Sequence, residues 1–163
     1  MGWVRRDGPF RTCESESGMS DTEQRLWTVE LPSYGPPISS NRRNVSRWAE
    51  QRNAKQWRSA ANAALRAHRP MISPLDHAYV ELTLIPPDRR RRDAMNYVHY
   101  VLKPVVDALT DQGIIRDDAD EWVTWRIVIA EWPTHTGVWR YQLTISDSPI
   151  LSRHERVING LES

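Results

Sequence analysis

The feature that most constrains the fold is an apolar stripe in the second half of the chain. Between residues 98 and 109, large aliphatic side chains recur three and four positions apart. These side chains are Val98, Val101, Leu102, Val105 and Leu109. The spacing is that of one face of an α-helix, so it predicts an amphipathic helix that needs an apolar partner. Pro104 is expected to bend this helix or remove one of its hydrogen bonds, and Gly113 is expected to end it.

The remaining pattern supplies partners for this helix. A second amphipathic helix with a basic outer face is predicted from Ser46 to His68, with Trp48 and Trp57 among its apolar positions. Segments typical of strands are Leu26–Leu31, Tyr79–Ile85, Trp122–Glu131 and Val138–Ile145. The last two are expected to form a hairpin joined by residues 132–137. The order β-α-β-α-β-β predicts an α+β fold, a mixed sheet of about four strands with two main helices packed against it.

The length of 163 residues fits a single domain. Residues 1–24 are polar and without a period, so they are expected to be a disordered arm before a domain at 25–147, with 148–163 as a C-terminal tail. No apolar run suggests a membrane span or a secretion signal. The lone Cys13 permits no internal disulfide, and the sequence therefore predicts a cytoplasmic protein without a membrane partner.

Charge is unevenly distributed along the chain, although the net charge is only +1. Residues 42–69 contain eight Lys or Arg and one Glu, whereas residues 104–135 contain seven Asp or Glu and two Arg. A basic segment followed by an acidic one suggests a polyanionic partner and a metal-binding focus. Two solvated helix faces of opposite sign would give the same pattern, and charge alone favours that simpler interpretation.

Four consecutive arginines, Arg89 to Arg92, follow Pro87-Asp88 at a predicted junction between strand and helix. Guanidinium groups at such a point can hold phosphates bidentately, and a solvated turn is the alternative. Asp93 comes next, where a carboxylate can cap the first turn of a helix. The candidate oxygen ligands for a hard divalent cation are Asp93, Asp117, Asp118 and Asp120, although Asp117 and Asp118 also suit a turn before a strand.

At these residues the chain resembles the RusA family of Holliday junction resolvases, small homodimeric endonucleases found mainly in bacteriophages and prophages. The resemblance covers roughly residues 26–146. The matching positions are Pro36-Pro37, Asn41-Arg42, the basic helix, residues 86–93, Asn96, Lys103, residues 107–110, Gly113 and Asp117-Asp118. The combination is specific, because chance composition would rarely assemble these motifs in this order.

The resemblance implies a RusA-like fold and a magnesium-dependent, or manganese-dependent, endodeoxyribonuclease. Asp93 and Asp118 would bind the ion, with Asp117 beside them, and Lys103 would assist catalysis. The implied DNA contacts are Arg89, Arg90, Arg91, Arg92, Asn41 and Arg42. A homodimer would place two such sites on a four-way junction and make paired, symmetric nicks in DNA recombination and repair.

One position departs from the family pattern. Met95 stands where a second Asp is expected, and a thioether is a poor ligand for a hard cation. Either Asp120 or Glu121 substitutes and the chain cuts DNA, or the chain is a branched-DNA-binding protein with weak or no nuclease activity. Met95 itself could lie near the ion or pack under the first helical turn.

Three further side chains could belong either to a functional surface or to the body of the domain. Trp125 and Trp139 are candidates for a dimer contact, and core packing, the interpretation favoured here, explains them as well. His99, one turn before Lys103, could touch the site, but surface placement is expected for it.

Overall fold

The computed structural model describes residues 24–130 and 137–151. The main elements are β1 (Leu26–Leu31), α1 (Arg47–His68), β2 (Ala78–Ile85), α2 (Lys103–Asp111), β3 (Val123–Ile129) and β4 (Arg140–Ser146). A 3-10 helix, Ala94–Tyr97, and a π-helical turn, Val98–Leu102, lead into α2. The predicted α+β fold and its element order are confirmed. The expected arm at 1–24, except Gln24, and most of the tail at 148–163 lie outside the described residues.

The four strands form one mixed sheet in the order β1-β4-β2-β3. β2 and β3 are parallel, whereas β4 runs antiparallel to both β1 and β2. The predicted hairpin between the last two strands is therefore wrong, because β2 lies between them. Alternation along a strand specifies which of its faces is buried but not which strands it pairs with. Residues 131–136, most of the expected turn, lie outside the described residues.

One face of the sheet carries the core. Val29, Leu143, Leu82 and Ile127 lie side by side across the four strands, and all four are buried. The helices cover this row with Trp57, Ala61, Leu65, Val101, Leu102, Val105 and Leu109. Burying each large aliphatic side chain stabilises the fold by about 1.5–3 kcal/mol. In the described ranges, no helix is long and apolar enough to cross a membrane.

Pro104 shapes the start of α2. It has no backbone N–H, so the carbonyl of Tyr100, four residues earlier, loses its usual helical donor. The side-chain amide of Asn53 in α1 donates to that carbonyl instead, at 2.6 Å, and the N–H of Lys103 reaches back five residues to Val98. The predicted loss of a helical hydrogen bond is thus confirmed, and the freed carbonyl ties α1 to the segment that leads into Lys103.

The tryptophans divide between core and surface. Trp139 is buried, as expected, but Trp125 is 38% exposed and Trp48 is 67% exposed. Trp125 belongs to β3, an edge strand, so one side of its ring lacks a neighbouring strand to cover it. Trp48, in the first turn of α1, stacks against Arg52 rather than the core. The predicted core placement of Trp48 and Trp125 is wrong.

Candidate functional site

The first part of the candidate site is the Lys103 cluster, which consists of Lys103, Asp107 and Asp118. The ammonium group of Lys103 contacts the carboxylate of Asp118 and lies 3.4 Å from Oδ1 of Asp107. The two carboxylate side chains are 28% and 33% exposed, and that of Lys103 is 55% exposed. A cation and two carboxylates from α2 and from the following loop therefore meet where solvent and a substrate can reach them.

The loop between α2 and β3 is anchored so that Asp118 meets α2. Gly113 ends the helix with φ at 63°, a left-handed conformation that glycine adopts readily, as its sequence position predicted. Ile114 is buried, and its carbonyl accepts a hydrogen bond from the N–H of Leu75 at 2.8 Å. Asp117 Oδ1 accepts from the N–H of Asp118 at 2.7 Å. Asp117 thus has the turn role considered for it, and its turn orients Asp118.

The Lys103 cluster continues into α1 through Arg58. Arg58 lies 3.8 Å from Asp107 but makes two shorter contacts with Asp111, at 2.6 and 2.7 Å. The hydrogen bond from Arg58, followed by one from Asn62, lowers the pKa of Asp111 to about 2. Asp111 therefore joins the two helices, whereas Asp107 is held less closely, by Lys103 at 3.4 Å and by Arg58 at 3.8 Å.

Asp93 lies at the other end of the same helical segment. Its Oδ1 accepts from the N–H of Met95 at 3.0 Å, which confirms the capping role. Ten positions separate Asp93 from Lys103, about 15 Å of rise along a helix. Within residues 24–130 and 137–151, no three His, Cys, Asp or Glu side chains are grouped closely enough to hold a metal ion. The structure thus does not bring Asp93 together with Asp117 and Asp118.

Asp93 belongs instead to a second part of the site, the arginine pocket. Its lining includes Ser39, Asn41, Arg91, Arg92, Asp93 and Asn96. The neighbouring Ser40 fixes this arrangement, because its N–H and its hydroxyl donate to the backbone and side-chain oxygens of Asn96, both at 2.9 Å. Asn41 and two arginines of the run, Arg91 and Arg92, predicted as DNA contacts from separate segments, are brought together here. Arg42, the next residue after Asn41, is exposed.

The four arginines of the run are not equivalent. The side chain of Arg92 is only 13% exposed, pairs with Asp88 at 2.8 Å and stacks over the ring of Trp139 at 4.8 Å. Arg90 is 85% exposed and lies 3.8 Å from Asp88, and Arg89 and Arg91 are also exposed. Hydrogen bonds from the backbone of Arg90 and then from Arg92 lower the pKa of Asp88. Arg92 therefore stabilises the junction, and the exposed Arg90 and Arg91 are placed to meet a ligand.

Met95, the position that departs from the family pattern, is 64% exposed. The interpretation that packs it under the first helical turn is therefore wrong. Asp120 and Glu121, its possible substitutes, are exposed in the loop before β3. His99 is exposed, as expected. Position 95 can thus accept a charged side chain without burying it.

Two residues at the site, Asp107 and Asp88, are among the positions that match the RusA family, but sequence reasoning assigned them no role of their own. Asp107 lies four positions after Lys103, and this spacing on a helix is a signal that could have paired them. Asp88 pairs with Arg92, four positions later, in a segment that is not helical. Outside a helix this spacing does not predict that two side chains meet, so the sequence carries no simple signal for the pair. Neither models of known protein families nor curated proteins match the sequence.

Proposed function

We propose that this chain is a structure-specific endonuclease that resolves four-way DNA junctions by metal-dependent hydrolysis of phosphodiester bonds. The observation that carries the proposal is the Lys103 cluster, a solvent-accessible cation and two carboxylates from separate segments. The ordered motifs that resemble the RusA family supply the substrate class. The same resemblance implies a role in DNA recombination and repair in the cytoplasm. If the chain is phage-encoded, this is the cytoplasm of the infected host cell.

The chemistry of the donors in the Lys103 cluster fits a magnesium-type ion. Asp107 and Asp118 already converge on one cationic centre, and carboxylate oxygens are the ligands that Mg²⁺ and Mn²⁺ prefer. In this proposal these two hold the ion, and Asp117 orients Asp118. Asp93 is a ligand only by the resemblance, and it is not assigned to this ion, because about 15 Å of helical rise separates it from Lys103. When bound, the ion supplies Lewis-acid polarisation of the phosphodiester.

The protein groups around the ion have separate roles. Lys103 offsets the negative charge that develops at the scissile phosphate, since a preorganised cation stabilises such charge without reorganising at the moment of reaction. The exposed arginines and Asn41 hold neighbouring phosphates and so fix the strand relative to Lys103. The proposal includes a homodimer, because two sites related by a two-fold axis match the approximate symmetry of a four-way junction. Trp125, exposed on the edge strand β3, is the candidate contact between protomers.

The arginine run gives a prediction that separates DNA contact from structural support. Replacing Arg90 and Arg91 by Ala should weaken binding to all DNA and reduce the slope of log affinity against log salt by about 0.9 for each lost phosphate contact. Arg92→Ala is the matched variant, and it should lower the melting temperature, since Arg92 stacks on Trp139 and pairs with Asp88. An unchanged salt slope in the double variant would show that Arg90 and Arg91 only face solvent.

A branched-DNA-binding protein with little nuclease activity is the second candidate, and the exposed Met95 at an expected acidic position favours it. If a missing carboxylate limits cleavage, Met95→Asp should raise the cleavage rate at limiting magnesium by about tenfold, or about 1.4 kcal/mol of transition-state stabilisation. Because the side chain is exposed, the melting temperature should change little. Rates are measured against magnesium concentration, with Met95→Asn as the uncharged control. Equal rates for both variants and the wild type would mean that position 95 does not limit the reaction.

Selectivity for branched DNA tests the substrate class. The affinities of the full chain for a synthetic four-way junction and for a linear duplex of the same sequence are measured in EDTA, where cleavage is prevented. We expect the junction to bind at least about tenfold more tightly, a difference of about 1.4 kcal/mol. Equal affinities would contradict junction recognition and indicate a basic module for nucleic acids in general.

A further inference from the structure

Trp48 is the most exposed of the large apolar side chains in the described residues, at 67%. The guanidinium of Arg52 lies 3.6 Å from the centroid of its ring. A cation stacked on one face leaves the other face free for a planar ligand. The first turn of α1 that carries the ring is held by Ser46, whose hydroxyl accepts from the N–H of Ala49 at 3.2 Å. Trp48 therefore presents an exposed aromatic ring on a helical turn whose backbone is capped.

The surroundings of Trp48 are basic. Arg42 and Arg43, in the short segment that leads into α1, and Arg47, the first residue of α1, are all exposed. Asn41, directly before them, lines the arginine pocket, so the chain connects that pocket to Trp48 within seven residues. An exposed aromatic ring among arginines is the combination with which proteins bind nucleic acid outside a base-paired stack: the cations meet phosphates and the ring meets a base. Acidic or apolar neighbours around the ring would instead disfavour a nucleic-acid partner.

A groove beside Trp48 also combines aromatic and basic side chains. It runs between residues 34–38 and α1, and Arg52 belongs to both features. Tyr34 is 50% exposed and meets the ring of Trp57 edge-on, with centroids 6.4 Å apart. The groove also contains Gln56, whose side chain is exposed. The exposed ring of Tyr34 can meet the face of a base, and the amide of Gln56 can meet its polar edge.

We propose that Trp48, backed by Arg52, stacks on a nucleobase at the branch point of the DNA and so distinguishes branched from linear DNA. This inference rests on the proposed function. In a continuous duplex each base face is covered by its neighbours, whereas a branch point interrupts the stack and exposes base faces. The arginines meet phosphates, which both kinds of DNA present alike. Trp48 thus contributes affinity that only branched DNA can obtain.

Photocrosslinking tests the contact directly. Four-way junctions carry 5-iodouracil either at the crossover or in the middle of one arm, and each is irradiated with the full chain in EDTA. We expect a crosslink to the peptide containing Trp48, located by mass spectrometry, from the crossover position and not from the arm. Crosslinks to this peptide at equal yield from both positions, or from neither, would overturn the assignment of Trp48 to the branch point.

Variants test whether the contact provides selectivity. Trp48→Ala should weaken junction binding by about tenfold and change duplex binding by less than about twofold, since stacking on one base is lost. Trp48→Phe should retain most of the selectivity. Met71→Ala removes another exposed apolar side chain, beyond the far end of α1, and should change neither affinity. A thermal melt of each variant confirms folding.

The outcomes separate this inference from the function on which it rests. If the wild-type chain prefers junctions but Trp48→Ala keeps that preference, the role of Trp48 is overturned and the proposed function stands. If the wild-type chain binds junction and duplex equally, junction recognition fails, and the role of Trp48 fails with it. Equal loss of junction and duplex affinity in Trp48→Ala would show that Trp48 contributes to general DNA binding without selectivity.

Discussion

Asp118→Asn should reduce cleavage of a four-way junction by about 1,000-fold, or about 4 kcal/mol of transition-state stabilisation. The amide keeps the size of the side chain but removes the charge that Asp118 offers to a metal ion and to Lys103. Binding of the junction in EDTA should be unchanged or tighter, because a negative charge near the DNA is removed. Single-turnover cleavage and affinity are measured on the same preparation.

Asp76→Asn is the matched control for this substitution. Asp76 is an exposed carboxylate in the loop before β2 and does not belong to the Lys103 cluster. Its variant should cleave within about twofold of the wild-type rate. The ion pair between Lys103 and Asp118 lies near the surface, so its loss should cost less than about 1 kcal/mol of stability. If the Asp118→Asn protein cleaves at the wild-type rate, the Lys103 cluster takes no part in the mechanism.

Lys103→Met should lower kcat by about 100-fold, or about 2.7 kcal/mol, while KM changes little. Methionine keeps the length of the side chain but lacks the ammonium group that offsets charge developing at the phosphate. The helix should survive, because Met favours helical backbone about as well as Lys. Kinetics at saturating junction separate this effect from binding.

Lys103→Arg completes the comparison, since it keeps the positive charge with a different shape. We expect it to recover part of the lost kcat, because charge rather than geometry alone carries the effect. A Lys103→Met protein whose KM rises while kcat stays constant would show that Lys103 contributes uniform binding to the DNA. That result would assign Lys103 to the DNA-binding surface and remove it from the chemical step.

The sequence predicted the elements of the fold well where one periodicity applied to a whole segment. The alternation or composition of the strands and the stripe from Val98 to Leu109 lead to the observed elements, and β1 has the expected bounds. Strand pairing was less accessible, because alternation defines a buried face and not a neighbour. The insertion of β2 between β3 and β4 depends on the helical crossover that makes β2 and β3 parallel.

The candidate site was only partly predictable, because residue type does not reveal how a side chain is held. Arg90 and Arg92 are the same residue type in one arginine run, yet Arg92 is held by Asp88 and Trp139, whereas the side chain of Arg90 is 85% exposed. Met95 and Trp48 were open to core placement on hydrophobicity alone, and both are exposed. The pairing of Lys103 with Asp118 crosses fifteen residues and depends on the loop anchored by Ile114.

Mapping the cleavage products tests whether the protein resolves four-way junctions in a metal-dependent reaction. A synthetic junction is labelled on each of its four strands in turn and incubated with the full chain, with and without magnesium or manganese. We expect nicks at corresponding positions in two opposing strands, only when the metal is present, and none in a linear duplex. Junctions that are bound but remain intact with either metal, or nicks that appear equally in linear duplex, would contradict the proposed function.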